Sequence, residues 1–255
     1  MGLKEYKIFV DAHVFDGEFQ GTLTYLKELY LKIIKINPDI KIYFGANNIE
    51  KVKIHFSEFK NVTYVQYRSK NSFKRIFIEI PKIIDNLECS HAHFQYTIPF
   101  RKNKKCKYVV TIHDILFNDF PKEFSLLYRL KRNTLFNLSA KNCDFLLTVS
   151  NYSKQKISER YKIDLEKIIV TLNAVSKDYF DFNFSKKESR TYINKKYRIK
   201  NYVLYVSRIE PRKNQVLLLN TFVNEKLWLR GYNLVLIGSN TLESGLLELI
   251  NNLDK

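Results

Sequence analysis

Short apolar runs alternate along this chain with longer amphipathic stretches, and the alternation predicts its elements. Lys7–Val14 reads as a strand. A loop, Phe15–Gly21, leads to a helix over Thr22–Ile36, which Asn37-Pro38 ends because the residue before proline is pushed out of the helical region. Lys41–Phe44 and Val62–Tyr67 read as strands. Phe73–Leu87 has helical period. His91–Gln95 and Tyr108–Thr111 are further strands, each closing on polar residues. A helix over Phe124–Ser139, a strand over Phe145–Val149, a helix over Ser153–Tyr161 and a strand over Ile168–Thr171 complete this half. Strands of continuous apolar character between helices indicate a parallel sheet covered on both faces.

Residues 181–201 are charged and carry no core period, so they read as a junction. The pattern then restarts with a strand over Tyr202–Val206, a helix over Pro211–Leu229, a strand over Asn233–Gly238 and a helix over Leu242–Leu253. The expected division is a first lobe over residues 1–180, a junction over 181–201 and a second lobe over 202–255. Two strands and two helices leave a sheet face and an edge open, so the second lobe is expected to be incomplete.

Composition narrows the picture. The chain has 255 residues, 45% of them apolar, enough for one large or two ordinary domains. Its apolar runs are too short to span a bilayer. The N-terminus has no long apolar core and reads as no signal peptide. The three cysteines form no C-x-x-C pair, so neither a disulfide framework nor a zinc site is indicated, and a cytoplasmic location is expected.

The net charge of +17 implies anionic partners. Much of it is spread as on a solvated surface. Three clusters are denser: Arg68–Lys70 with Lys74-Arg75, Arg101–Lys107, and Arg129–Arg132. In the last, Phe124, Leu127, Tyr128 and Leu130 interleave with cations. This suits an amphipathic helix at an anionic membrane and an ordinary surface helix alike. No RNA-binding signature accompanies the charge, so no specific nucleic acid is expected.

In open parallel sheets, ligands sit beyond the carboxyl ends of the strands. The loop Phe15–Gly21, His93–Gln95, His113-Asp114, Ser150-Asn151, Asn173, Arg208 and Gly238 all fall there. Pro211 is expected at the first helical position, which gathers Arg208 and Lys213 at a helix N-terminus, a setting for phosphate. G-x-G-x-x-G, G-x-x-x-x-G-K-[ST] and D-x-D are all absent. Asp114 reads as a cap for the following turn, Ser150-Asn151 as a helix cap, Tyr25 and Tyr30 as core, and His93 as packing near the sheet's edge.

Five segments occur in one order: FDGEFQGTLTYLKELY, VVTIHDILFNDFP, LLTVSNYSKQKI, IIVTLNAVSKDYF and YVLYVSRIEPRKNQVLLLNTF. In this the chain resembles the family 4 retaining glycosyltransferases of the GT-B fold. The resemblance implies an α/β architecture of two Rossmann-like parallel-sheet lobes. It implies transfer of a sugar from a nucleotide-sugar to an acceptor hydroxyl, on a glycan or a lipid-linked saccharide, with retention and without a metal or other cofactor. Polysaccharide assembly and peripheral contact with the inner face of an anionic membrane would suit it.

By the same resemblance, Arg208 and Lys213 match the pair that grips the donor pyrophosphate. His113 matches the histidine beside the transferred sugar. Gly21 matches the loop glycine where backbone approaches donor and acceptor, and Asn173 the asparagine that closes the first lobe. Asn173 is followed by Ala174 where the family has glycine, and Ser207 stands where glycine usually precedes the arginine. The family's Glu-x7-Glu segment has no counterpart here. A half that binds acceptor or partner without turnover is therefore the rival expectation.

Overall fold

A computed structural model describes residues 6–17, 21–176, 185–239, 246 and 250. They form two compact units, Met1–Lys177 and Asp178–Lys255.

The first unit is a parallel sheet of seven strands in the order β3-β2-β1-β4-β5-β6-β7. The strands are β1 (Lys7–Asp11), β2 (Lys41–Ala46), β3 (Val62–Gln66), β4 (His91–Gln95), β5 (Lys107–Thr111), β6 (Phe145–Thr148) and β7 (Ile168–Val170). Their apolar runs bury because helices cover both faces, as continuous apolar strands require. One core cluster centres on Phe9, Ile80, Phe94, Tyr108 and Ile112. The other centres on Val10, Leu26, Ile42, Phe44 and Phe56. The chain order reverses between β1 and β4, so the loops that follow these two strands part and leave a crevice at their carboxyl ends.

Several elements differ from the reading of the sequence. β1 stops at Asp11, and His13–Phe15 forms a 3-10 turn instead of continuing the strand to Val14. The helix α2 (Ile49–Phe56) follows β2, burying only Val52 and Phe56. The stretch expected as one helix over Phe73–Leu87 is a short α3 (Ser72–Lys74), a π-helical segment Arg75–Glu79, then α4 (Ile80–Leu87) with Pro81 at its start. Proline has no N–H for the regular ladder, and a widened turn takes up the break. β4 is the middle strand of the sheet, so His93 is 3% exposed in the core and not near an edge. The short α5 (Leu116–Asp119) follows β5. α6 (Leu126–Asn142) and α7 (Asn151–Tyr161) have Ser125 and Ser150 as their N-caps.

In the second unit, the residues read as a junction contain a helix, α8 (Lys186–Tyr197), with no buried residue. A capping box starts it: Glu188 N–H donates to Ser185 Oγ, and the Glu188 carboxylate accepts from Ser185 N–H. Local capping, not burial, therefore defines this helix. β8 (Asn201–Val206) and β9 (Tyr232–Ile237) pair in parallel. Between them the expected helix Pro211–Leu229 is interrupted. Pro211–Lys213 is a 3-10 turn, Asn214 takes the left-handed conformation at φ 56°, and α9 runs over Gln215–Asn224. A second left-handed residue, Lys226, precedes a 3-10 turn at Leu227–Arg230. The helix expected over Leu242–Leu253 lies outside the described residues apart from two positions.

Gly238 ends β9 against the neighbouring loop, where a Cβ would collide with the Ser207 carbonyl oxygen and sit 3.3 Å from Arg208 N. Gly238→Ala is expected to destabilise the second unit by about 1–3 kcal/mol, since backbone has little room to yield. Urea unfolding followed at Trp228, which lies in that unit, would measure it. An unchanged midpoint would mean that the loop shifts freely.

Candidate functional site

The crevice at the carboxyl ends of β1, β4 and β5 gathers most of the polar side chains buried in the first unit. His113, two residues past β5, is 7% exposed. Its Nε2 lies 2.9 Å from Gln95 Oε1, so Nε2 carries the proton and donates. Gln95 Nε2 approaches His93 Nε2 at 3.5 Å. His93 Nε2 also accepts from Thr111 Oγ1 at 2.8 Å, which leaves Nδ1 to donate to Tyr30 Oη at 3.0 Å. The chain of contacts fixes one tautomer for each ring. Burial holds the pKa of His113 down to about 4 and that of His93 to about 3. Both are neutral at pH 7.

Tyr25 ties three expected site residues together. Its ring meets that of His113 edge-on at 4.9 Å. Its hydroxyl bonds Thr171 Oγ1 at 2.7 Å, two residues before Asn173. It also stands one helical turn after Gly21, the first residue of α1 (Gly21–Ile36). Gly21, His113 and the strand end leading to Asn173 thus frame one corner of the crevice. Asn173 itself is exposed, and residues 18–20 of the preceding loop lie outside the described residues. Asp114 is exposed and accepts from Leu116 N–H at 3.2 Å, a cap on the next turn.

Tyr96 is a site residue that periodicity did not single out. Its φ is +68°, and Thr97 N–H donates to the Gln95 carbonyl at 2.8 Å, which makes a γ-turn. Such a conformation is strained for a residue with a side chain and persists where packing enforces it. Here the ring stacks on Phe136 at 5.1 Å and lies 5.3 Å from His113.

A second polar group lies beside it. Asp11 is 1% exposed. Its Oδ1 accepts from Tyr67 Oη at 2.9 Å and its Oδ2 from His13 Nδ1 at 3.0 Å. Burial alone would raise the Asp11 pKa. His13, Arg75 and Tyr67 together outweigh it and hold the carboxyl below its ordinary value. Tyr67 reaches Asp11 by crossing Gly45, where a Cβ would collide with its ring. Two cavities open here, of about 370 and 450 Å³, and His13, Tyr96, Tyr128 and Arg132 line both. A larger cavity, about 510 Å³, lies at the amino ends of β6 and β7, away from these groups.

In the second unit, Arg208 follows β8 on a loop held by its neighbours. Gln215, 3% exposed, donates from Nε2 to Ser207 Oγ at 2.9 Å and to the Arg208 carbonyl at 2.8 Å. Tyr205 Oη donates to the Lys213 carbonyl at 2.9 Å. Glu210, buried, pairs with Arg208 Nε at 2.8 Å and Arg212 Nε at 2.7 Å. The Arg208 side chain stays 55% exposed. Lys213 closes the 3-10 turn, and the helix behind it begins at Gln215, so neither cation sits at the helix start expected at Pro211. Among the described residues, no three His, Cys, Asp or Glu side chains are placed to hold a metal ion. No described helix is long and apolar enough to cross a membrane.

Comparison with known proteins bears on this geometry. The model of Glycosyltransferase Family 4 matches residues 14–179. The O-antigen chain mannosyltransferase RfbU of Salmonella typhimurium is 33% identical over 156 residues, 61% of this chain and 37% of that protein. The match therefore spans well under half the length of that relative. A glycosyltransferase from Rickettsia africae superimposes with a TM-score of 0.60 at 21% identity, over 99% of this chain and 66% of that one. HepE of Anabaena, solved with UDP-glucose, superimposes with a TM-score of 0.62 at 15% identity, over 98% and 65%. These likenesses establish an α/β architecture of the GT-B type. With its first unit matched from the turn after β1 to the end of the sheet, the chain belongs to Glycosyltransferase Family 4.

Proposed function

We propose that the protein transfers a sugar from a nucleotide-sugar to an acceptor hydroxyl on a glycan or lipid-linked saccharide, with retention of configuration. The acceptor lies on the first lobe, residues 1–180, near His113 and Gly21. The donor lies on the second lobe, its pyrophosphate held by Arg208 and Lys213. The observation that carries this reading is the loop Ser207–Lys213, anchored at both ends by Gln215 and Tyr205 while presenting a half-exposed guanidinium.

In the reaction, the bond from the anomeric carbon to the donor phosphate oxygen breaks and a bond to the acceptor oxygen forms on the same face. The acceptor proton passes to the departing phosphate. Charge grows on that phosphate, and fixed cations stabilise it. His113, neutral and with its Nε2–H donated to Gln95, leaves Nδ1 to accept a hydrogen bond from a sugar hydroxyl without adding charge beside it. Neither step requires a metal or other cofactor. A nucleotide-mannose is the first donor to try, since the Salmonella relative is a mannosyltransferase.

The test is donor binding and turnover over a panel including GDP-mannose and UDP-glucose, on the wild type and Arg208→Ala. One donor should bind and react. The variant should lose about 10²-fold in kcat/KM, the usual effect of removing one preorganised charge donor. Binding without turnover by any donor would favour a half that holds ligands without chemistry. Binding undiminished in Arg208→Ala would remove the pyrophosphate assignment.

A further inference from the structure

Two of the basic clusters in the sequence, Lys74-Arg75 and Arg129–Arg132, meet across one cavity of the first unit. This cavity, about 370 Å³, is lined by His13, Arg75, Lys131 and Arg132. Among the described residues no carboxylate lines it; Asp11 stands behind His13 and Tyr67. Arg75 is 7% exposed, and its Nε has no hydrogen-bond partner. A buried guanidinium with an unused donor favours an anion, because an unpaired buried donor is costly. The π-helical segment that begins at Arg75 turns this residue inward. Such segments recur at functional positions. Arg132 lies over the Tyr128 and Phe136 rings at 5.2 and 5.7 Å, which fixes its direction. Apolar side chains line the same cavity. Phe73, 61% exposed, and Phe77 line it, and Phe77 stacks on the exposed Phe100 at 4.1 Å. Leu127, 77% exposed, stands one helical turn before Lys131 on the same side of α6.

Cations and exposed aromatic and aliphatic groups around one cavity match one kind of ligand. We propose that this cavity binds the phosphate or pyrophosphate of a lipid alcohol, with the anion on Arg75, Lys131 and Arg132 and the chain leaving over Phe73 and Leu127. The site is separate from Arg208 and Lys213, which lie in the other unit. The assignment rests on the reading that the acceptor occupies the first lobe, and it names the acceptor class: a saccharide carried on a lipid phosphate. Charge complementarity selects the occupant, since Asp11 offsets the Arg75 charge but an apolar chain alone would leave Arg75 Nε without a hydrogen-bond acceptor, and a free anion would leave Phe73 and Leu127 in water.

Calorimetric titration with farnesyl pyrophosphate, inorganic pyrophosphate and farnesol, below micelle-forming concentrations, tests it. Farnesyl pyrophosphate should bind at least tenfold more tightly than either half-ligand. Lys131→Gln/Arg132→Gln, on a partly exposed helix face, should weaken it about tenfold or more, and GDP-mannose or UDP-glucose binding should not change. Arg75→Gln should act in the same direction; if it fails to fold, the double variant decides alone. Inorganic pyrophosphate binding as tightly as the farnesyl ester would overturn the lipid assignment. Equal binding by the double variant would overturn the site. Farnesyl pyrophosphate binding without any donor turnover would sink the transferase reading and leave this one standing. Turnover on soluble acceptors with no farnesyl pyrophosphate binding would do the reverse.

Discussion

Asp11→Ala is expected to lower the stability of the first unit by about 3 kcal/mol or more, the range seen when one partner of a buried charged group is removed. The carboxylate is 1% exposed and accepts from Tyr67 Oη and His13 Nδ1. It also offsets Arg75, itself buried. Alanine removes all three interactions, leaving the Tyr67 hydroxyl without an acceptor and the Arg75 charge without a counterion. Asp11→Asn keeps the volume and an acceptor oxygen for Tyr67 but removes the charge and sets an NH2 against His13 Nδ1, so its effect reports the Arg75 and His13 parts together and should be smaller. Urea unfolding by far-ultraviolet circular dichroism on the three proteins measures the series. If Asp11→Ala unfolds at the wild-type midpoint, Arg75 is solvated in solution and the cavity is not as described. The anion site makes a further demand: pyrophosphate-bearing ligands should stabilise Asp11→Ala more than the wild type, because they replace the missing counterion.

The sheet was legible because its strands are short apolar runs that end in polar residues, and that pattern admits few arrangements. Spatial order was less legible. His93 belongs to the fourth strand in sequence, and nothing local says that the fourth strand lies in the centre. α2 buries only Val52 and Phe56, too few positions to declare a period. The junction helix had a readable start in Ser185 and Glu188, but a helix with no buried residue leaves no apolar stripe behind its cap. Helical period runs through Val216, Leu219 and Phe222, while the breaks at Asn214 and Lys226 are set by backbone angles that periodicity does not report. Asn214 was a usable hint, since asparagine tolerates the left-handed region. Asp11 and His13 were hidden inside a strand read as running to Val14. The chain leaves the sheet after Asp11, and only then does His13 fold back onto the carboxylate two residues before it. Among the residues named from the family resemblance, Gly21, His113 and the strand end before Asn173 come together around Tyr25, a residue read as core.

Acidification should weaken the fold well above the range where carboxylates titrate. His93 and His113 have folded pKa values of about 3 and about 4, against 6.5 for an unburied histidine. Between these values the unfolded chain holds more protons than the folded one, so stability rises with pH across that window and is lost as pH falls through it. It is fully present above about pH 6.5 and declines from there. By pH 5 each ring subtracts about 2 kcal/mol, so the pair subtracts about 4 kcal/mol between pH 7.5 and 5. The depressed Asp11 carboxyl acts in the same direction only below its ordinary value of 3.8 and adds little in this window. Urea midpoints at pH 7.5 and 5.0 give the difference directly. His113→Gln, which keeps a side-chain amide beside Gln95, should remove about half of it. Equal midpoints at both pH values would mean that the rings reach water and protonate in the folded state, and an undiminished difference in the variant would mean that His113 is not its source. The same shift has a consequence for chemistry. A ring that stays neutral down to about pH 4 gives no acid limb near pH 6.5 in any activity profile. Such a limb, if found, would belong to a group outside the His93–Gln95–His113 chain.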